Sequence, residues 1–295
     1  MPFKSLDRFR APDYLPGVKS VHVIALSGAC FIVALSAAGM SLGDRGAAPL
    51  SAVAEAAPQK EDEADPGRAA PYRSSIVGTE YDFITGSDPT TFERLEFVGR
   101  TKFEMPDKRD DGDPLVQDAY VFTAYFTDGA KIQIALDSQF GSREAAEEDA
   151  LRYGPRLGRL PLLYRSKIRH ITVNFGGEDT TAFAEDKGHF FTIYSANASK
   201  RIGTNDLEET FFHEGTHASI QADHINSSEW KDAVARDGAY ITEYAKSSSQ
   251  EDFAESALFA YTILKHPERF PATTQETIRR TIPNRIAFFR RIFSE

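Results

Sequence analysis

Cysteine is nearly absent from the 295-residue chain: Cys30 is the only one, so no intrachain disulfide can form. The same count excludes zinc sites made from four cysteines, or from two cysteines and two histidines. Any metal site in this chain therefore has to use histidine, aspartate or glutamate side chains.

Positive charge is also scarce, since 34 lysines and arginines stand against 44 aspartates and glutamates and leave a formal net charge of −10. A long basic surface of the kind that binds nucleic acid is therefore not expected. The arginine pairs 279–280 and 290–291 fall within helical patterns, where they are typical of solvated faces. Aromatic residues are abundant, and 22 Phe and 11 Tyr are ample for a packed core.

Residues 20–43 carry no formal charge and include a run rich in Ala, Val, Ile and Leu. Four basic residues precede the run, and Ser36-Ala37-Ala38 matches the small-residue cleavage pattern of secretory signals. Residues 1–40 therefore predict a signal peptide and an exported, periplasmic or secreted protein. The alternative is an uncleaved signal anchor, because about 20 apolar residues can span a bilayer. Membrane contact would then be limited to this segment, with the folded domain outside the cytoplasm.

Residues 41–75 are rich in Ala, Pro, Glu and Asp and contain almost no large apolar side chain. Such a segment cannot bury enough surface to offset its chain entropy, which predicts a disordered linker. The folded domain is expected to start near Ser75 and to span residues 76–295.

The first part of that domain shows strand patterns. Residues 120–126 and 131–136 flank Thr127-Asp128-Gly129-Ala130, which is a hairpin signal. Further strands are predicted at residues 168–175 and 189–195.

Helical patterns begin at residues 142–153 and dominate after Asn205. Asn205 is expected to be an N-cap, because Glu208 follows it by three positions. Strands first and helices afterwards indicate an α+β domain, with a mixed sheet and helices followed by a helical C-terminal half. Further helices are predicted at residues 228–237, 250–265 and 274–292.

The motif His213-Glu214-Gly215-Thr216-His217 lies in the helix after Asn205. Its i, i+4 spacing puts both imidazoles on one helix face, so His213 and His217 can bind the same metal ion. Glu214 projects about 100° away from His213 and can act as the base on a water at an open coordination position. Three protein ligands and one water are typical of catalytic zinc.

Gly215 costs about 1 kcal/mol inside a helix, so we expect a reason for it, such as the close approach of a strand or substrate.

The third ligand is not supplied by the extended motif of the metzincins, HExxHxxGxxH. Ile220 and Asp223 stand where that motif requires glycine and histidine, and no methionine follows Met105 to form a Met-turn. Downstream, Glu251 and Glu255 share a helix face at i, i+4 spacing. One of them can bind the metal while the other orients a ligating imidazole, and the spacing does not decide between them.

The HEGTH motif, a later tyrosine, and a Glu-x-x-Ala-Glu segment seven residues after that tyrosine resemble the catalytic domain of anthrax lethal factor and the Pro-Pro endopeptidases. This resemblance covers about residues 160–295, whereas residues 76–160 have no counterpart in it. It implies a zincin-like metallopeptidase fold, with His213, His217 and Glu251 as ligands of one zinc ion. Glu214 would be the base, Tyr244 the oxyanion donor and Glu255 a partner that supports the ligands.

The function that the resemblance implies is zinc-dependent hydrolysis of peptide bonds in an extended peptide or protein substrate. Residues 190–195 are the candidate sheet edge for backbone pairing with that substrate. The alternative is a non-catalytic zincin-fold protein of the envelope that binds a metal or a partner without turnover.

Overall fold

A computed structural model describes residues 68–76, 79–109, 116–185 and 187–294. The predicted signal segment and residues 41–67 of the predicted linker lie outside these ranges. None of the helices within them is both long and apolar enough to cross a bilayer.

One six-stranded sheet has the order β1-β2-β3-β4-β6-β5. Strands β1, β2 and β3 are antiparallel neighbours, β3, β4 and β6 are parallel, and β5 returns antiparallel to β6 at one edge. The predicted hairpin is confirmed as β2 and β3. The strands are β1 (Phe92–Glu104), β2 (Val116–Phe126), β3 (Lys131–Leu136), β4 (His170–Asn174), β5 (Phe183–Glu185) and β6 (Phe190–Tyr194).

The expected substrate edge at residues 190–195 is wrong. Strand β6 pairs with β4 on one side and with β5 on the other, and all five of its residues are buried. Where both neighbours pair with β6, at residues 190–192, the strand has no free backbone groups to offer to a peptide. The edge on this side of the sheet is β5, a short strand with no strong hydrophobic pattern.

The helices follow most of the sheet in sequence, which confirms the α+β class. The predicted helix 274–292 is two helices, because Pro283 starts a new one and cannot donate a backbone hydrogen bond within the old one. The helices are α1 (Arg143–Leu157), α2 (Leu162–Arg165), α3 (Ser195–Gly203), α4 (Leu207–Thr216), α5 (Ala222–His224), α6 (Ser228–Asp237), α7 (Ser249–Lys265), α8 (Ala272–Thr281) and α9 (Pro283–Ile292).

Asn205 is not the N-cap of α4. Its φ of 60° is left-handed, its side chain donates to Asp82, and Asp206 holds the cap position without a side-chain hydrogen bond. Glu208 cannot complete a capping box because it is buried beside Arg159, 3.2 Å from its guanidinium. The acids of the first turn are therefore used in tertiary contacts.

Helix α7 packs against both α4 and α9, which places its first turn beside the HEGTH motif. A buried cation fixes this packing: Arg285 of α9 donates to Asp252 of α7 at 2.7 Å and to Asp237 of α6 at 3.1 Å. Both carboxylates and the guanidinium are almost fully buried. Removal of Arg285 would leave two buried carboxylates without a counter-charge, so its two ion pairs tie the three helices together.

Part of the predicted linker is ordered against the domain. Tyr72 forms a parallel bridge with Thr242, the amide of Ala70 donates to Glu243, and Ser75 donates to Glu255 at 2.7 Å. Residues 68–75 therefore belong to the folded unit, because their backbone polar groups find partners on it rather than in water. The expected start near Ser75 is several residues too late.

Candidate metal centre

The HEGTH motif spans the end of α4 and the start of a π-helical turn, His217–Gln221. Nε2 of His213 lies 3.1 Å from Nε2 of His217, so the two imidazoles converge as the i, i+4 spacing predicted. All ten residues of α4 are buried. His213 is consequently held on a fully packed helix, and His217 follows it at the start of the π-helical turn.

Glu251 reaches the same point from α7. Its Oε2 atom lies 3.0 Å from Nε2 of His213 and 3.5 Å from Nε2 of His217. Ser248 positions the start of the helix, because its hydroxyl accepts a hydrogen bond from the amide of Glu251. The structure thus brings together the three predicted ligands.

These three side chains could hold a metal ion. One donor atom from each, two imidazole nitrogens and one carboxylate oxygen, lie within 4.8 Å of one another. This donor set suits zinc and several other divalent transition metals. The residues present therefore fit an ion of this class.

Each imidazole is also held through its other nitrogen. Nδ1 of His217 lies 2.6 Å from Oε1 of Gln221, and Nδ1 of His213 lies 3.3 Å from Oε1 of Glu255. Such contacts orient a ligating ring and favour the tautomer that leaves Nε2 free for a metal. Glu255, predicted to support the ligands, does lie behind one of them.

Glu255 is itself fully bonded. Oε1 accepts from the hydroxyl of Ser75, and Oε2 accepts from the amide of Ile76 at 2.9 Å and from the hydroxyl of Thr242 at 2.8 Å. These supporting residues were not predicted from the sequence. Gln221 could have been found from its i, i+4 spacing to His217, but nothing in the sequence links Ser75 or Thr242 to the motif.

The carboxylates around His213 favour positive charge at this position. Burial lowers the pKa of His213, but the hydrogen bond with Glu251 and the nearby carboxylate of Glu255 outweigh it and raise the pKa to about 10. Burial would raise the pKa of Glu251, yet the hydrogen bonds with His213 and His217 hold it well below its usual value. The carboxylates of Glu251 and Glu255 therefore stabilise positive charge at His213.

The three side chains face a cleft of about 640 Å³ that Glu214 and Tyr244 also line. Tyr244 starts a 3-10 turn before α7, is 41% exposed, and its ring centre lies 6.1 Å from that of His213. Burial, with the charges of Glu251 and Glu214, raises the pKa of Tyr244 well above its usual value. Its hydroxyl therefore stays protonated and able to donate at neutral pH.

Strand β5 and the turn after β1 also line the cleft. Phe183 and Ala184 of β5 line it, as does Lys108 of the turn. Burial lowers the pKa of Lys108, while the charges of Glu214 and Glu251 act to raise it. Lys108 was missed because it lies more than 100 positions from the motif and belongs to no recognisable pattern.

Gly215 has a different explanation from the expected one. A Cβ atom there would lie 3.3 Å from the ring of Tyr164 and 3.5 Å from Leu160. Tyr164 is held in place by a 2.9 Å hydrogen bond to Thr216. Packing of the tyrosine of α2, rather than a strand or a substrate, accounts for the glycine.

The chain matches no known protein-family model, no curated protein and no solved structure.

Proposed function

We propose that this chain is a zinc-dependent endopeptidase with a zincin-like fold. The observation that carries the proposal is the convergence of His213, His217 and Glu251 in a cleft that Glu214 and Tyr244 also line. A purely structural metal site is normally closed by protein ligands, whereas these three open onto a cleft that a substrate can enter.

His213, His217 and Glu251 would hold the zinc ion. When bound, zinc supplies Lewis acidity, which polarises a peptide carbonyl and lowers the pKa of water toward neutrality. Glu251 supplies the negative charge that matches the ion, and Glu255 and Gln221 hold the two imidazoles in position.

The remaining chemistry is proton transfer and charge stabilisation. Glu214 would take a proton from the attacking water and pass it to the leaving amine. Tyr244, protonated at neutral pH, would donate a hydrogen bond to the oxygen that becomes negative in the transition state. Both side chains line the cleft, so a peptide bound there would lie beside them.

The proposed substrate is an extended peptide that pairs with β5. One side of β5 is bonded to β6, and Phe183 and Ala184 also line the cleft. An edge strand can add a peptide strand through backbone hydrogen bonds. Strand β5 therefore replaces residues 190–195 as the proposed substrate edge.

An exported location remains a prediction from residues 1–40.

The test is cleavage of a peptide library by the full chain, with zinc, with a chelator, and with zinc restored. Glu214→Gln should retain the metal and lose cleavage, because Gln cannot accept the proton. Glu276→Gln, which changes an exposed glutamate on α8, is the matched control and should cleave normally.

Two results would contradict the proposal. One is cleavage that survives both the chelator and Glu214→Gln. The other is a protein that binds zinc with the expected three ligands but cleaves no peptide, which would favour the non-catalytic alternative.

A further inference from the structure

One cation in the cleft, Lys108, takes no part in the proposed chemistry. Its ammonium group donates to the carbonyl of Ala182 at 3.3 Å and lies 4.6 Å from the ring centre of Phe183. Both partners line the cleft where β5 begins. Lys108 therefore holds a positive charge beside the edge at which the substrate is proposed to bind.

The turn that carries Lys108 is fixed to the sheet. Its amide donates to the hydroxyl of Tyr194 at 2.8 Å, and that hydroxyl donates to Asp107 at 3.1 Å. Asn174 donates to the carbonyl of Pro106 at 2.9 Å. Tyr194 and Asn174 are buried and end β6 and β4. A side chain presented from such a turn loses less conformational entropy on binding than one on a free loop.

No described contact of Lys108 is an ion pair, so its ammonium group is available to bind an anionic ligand. Its described contacts are a carbonyl and an aromatic ring, whereas Arg201, the other cation in the described lining, bonds to Asn197 and lies 3.5 Å from Asp206. Among the described residues that line the cleft, the carboxylates are Glu214 and Glu251, which the proposed function assigns to the reaction.

Because Asp206 offsets Arg201, Lys108 and the two glutamates leave the described lining of the cleft with one net negative charge. A bound divalent ion would therefore leave the cleft positive, although the whole chain carries a net charge of −10. A positive cleft concentrates anionic ligands.

We propose that Lys108 binds a carboxylate of the substrate close to the scissile bond, so that the enzyme selects acidic peptides. This inference rests on the proposed function and assigns its substrate class. An ammonium–carboxylate contact is a charge-assisted hydrogen bond, and the partly enclosed cleft strengthens it relative to water. The carboxylate can come from an Asp or Glu side chain or from the C-terminus of a short peptide.

The experiment pairs substrate and enzyme changes in the full-length zinc-loaded protein. Peptides with Glu or Gln at each position flanking the cleaved bond, and with a free or amidated C-terminus, are cleaved by the parent and by Lys108→Gln. The parent should prefer one carboxylate form by at least about tenfold in kcat/KM, and Lys108→Gln should lose that preference. The peptide arm that shows the effect identifies the source of the carboxylate.

Lys131→Gln is the matched control, because Lys131 is also exposed and lies 5.1 Å from an aromatic ring, that of Tyr125, but does not line the cleft. It should keep the parental preference. If Lys108→Gln lowers kcat/KM equally for charged and neutral peptides, the proposal is overturned, since Lys108 would then act on the reaction centre. A parent without a carboxylate preference would overturn it as well.

A binding measurement separates this proposal from the proposed function. Fluorescence anisotropy would compare labelled acidic and neutral peptides on Glu214→Gln and on Glu214→Gln/Lys108→Gln. Tighter binding of acidic peptides that depends on Lys108 supports the carboxylate site even if the parent cleaves nothing. Equal binding of acidic and neutral peptides overturns the site even if the parent is an active peptidase.

Discussion

Oε1 of Glu255 lies 3.3 Å from Nδ1 of His213, while Oε2 of Glu251 lies 3.0 Å from Nε2 of the same ring. Two glutamates one turn apart on α7 therefore contact the two nitrogens of one imidazole. Glu251 lies beside the nitrogen that faces His217 and the cleft, and Glu255 lies behind the ring. This division explains how one helix can supply both a ligand and its support.

Glu255→Gln should weaken zinc binding about 10- to 100-fold, the usual effect of losing such a supporting contact. Glu255 accepts hydrogen bonds at both oxygens, so either orientation of a Gln amide would put an NH2 group against a donor. Competition with a chelating dye measures the affinity, and thermal unfolding checks that the variant is folded. A folded variant with parental zinc affinity would show that the contact does not support the ligand.

Tyr244→Phe should lower kcat about 100-fold or more with little change in KM, because the hydroxyl is proposed to act in the transition state. Zinc content should not change, since Tyr244 is not one of the three grouped ligands. Steady-state kinetics with metal analysis distinguishes the two effects. An unchanged kcat, or a loss that follows zinc content, would remove Tyr244 from the mechanism.

Gly177→Ala should destabilise the protein by about 1–3 kcal/mol more than Gly176→Ala. Both glycines have a positive φ, 69° and 76°, so both substitutions share the backbone strain. Only at Gly177 would the new Cβ meet the ring of Tyr194, at 2.6 Å; at Gly176 the nearest atom is 3.6 Å away. Urea unfolding of the two variants provides the comparison, and equal losses would mean that the Tyr194 ring moves freely.

Glu209 should make stability depend on pH. Burial raises its pKa to about 8 from an ordinary value of 4.5. Below pH 4.5 the carboxyl is neutral in both states and its stabilising contribution is complete. As pH rises the unfolded chain ionises first, so stability falls by up to about 1.4 kcal/mol per pH unit until the folded pKa is reached.

Glu209→Gln removes this dependence and retains an acceptor for the amide of Phe83. The free energy of unfolding of the variant, relative to the parent, should therefore increase between pH 5 and pH 8. Urea unfolding at unit pH steps measures the difference. Parallel curves for the two proteins would show that Glu209 is ionised in the folded state.

Local patterns in the sequence determined much of this protein. The hairpin of β2 and β3, helices α6 and α7, and the α+β class follow from periodicity and turn residues. The pairing of His213 with His217, and the shared face of Glu251 and Glu255, follow from the i, i+4 geometry of a helix. These features depend only on residues close together in the chain, so their spacing is sufficient to predict them.

Tertiary structure alone decided the rest. Helix spacing cannot say which of Glu251 and Glu255 faces Nε2 of His213 and His217, because the answer depends on how α7 packs against α4. Likewise, the placement of β5 outside β6 and of Lys108 in the same cleft as Glu214 depends on contacts between distant segments. Such contacts come from the packing of the whole domain, which leaves no periodic signature in the residues that make them.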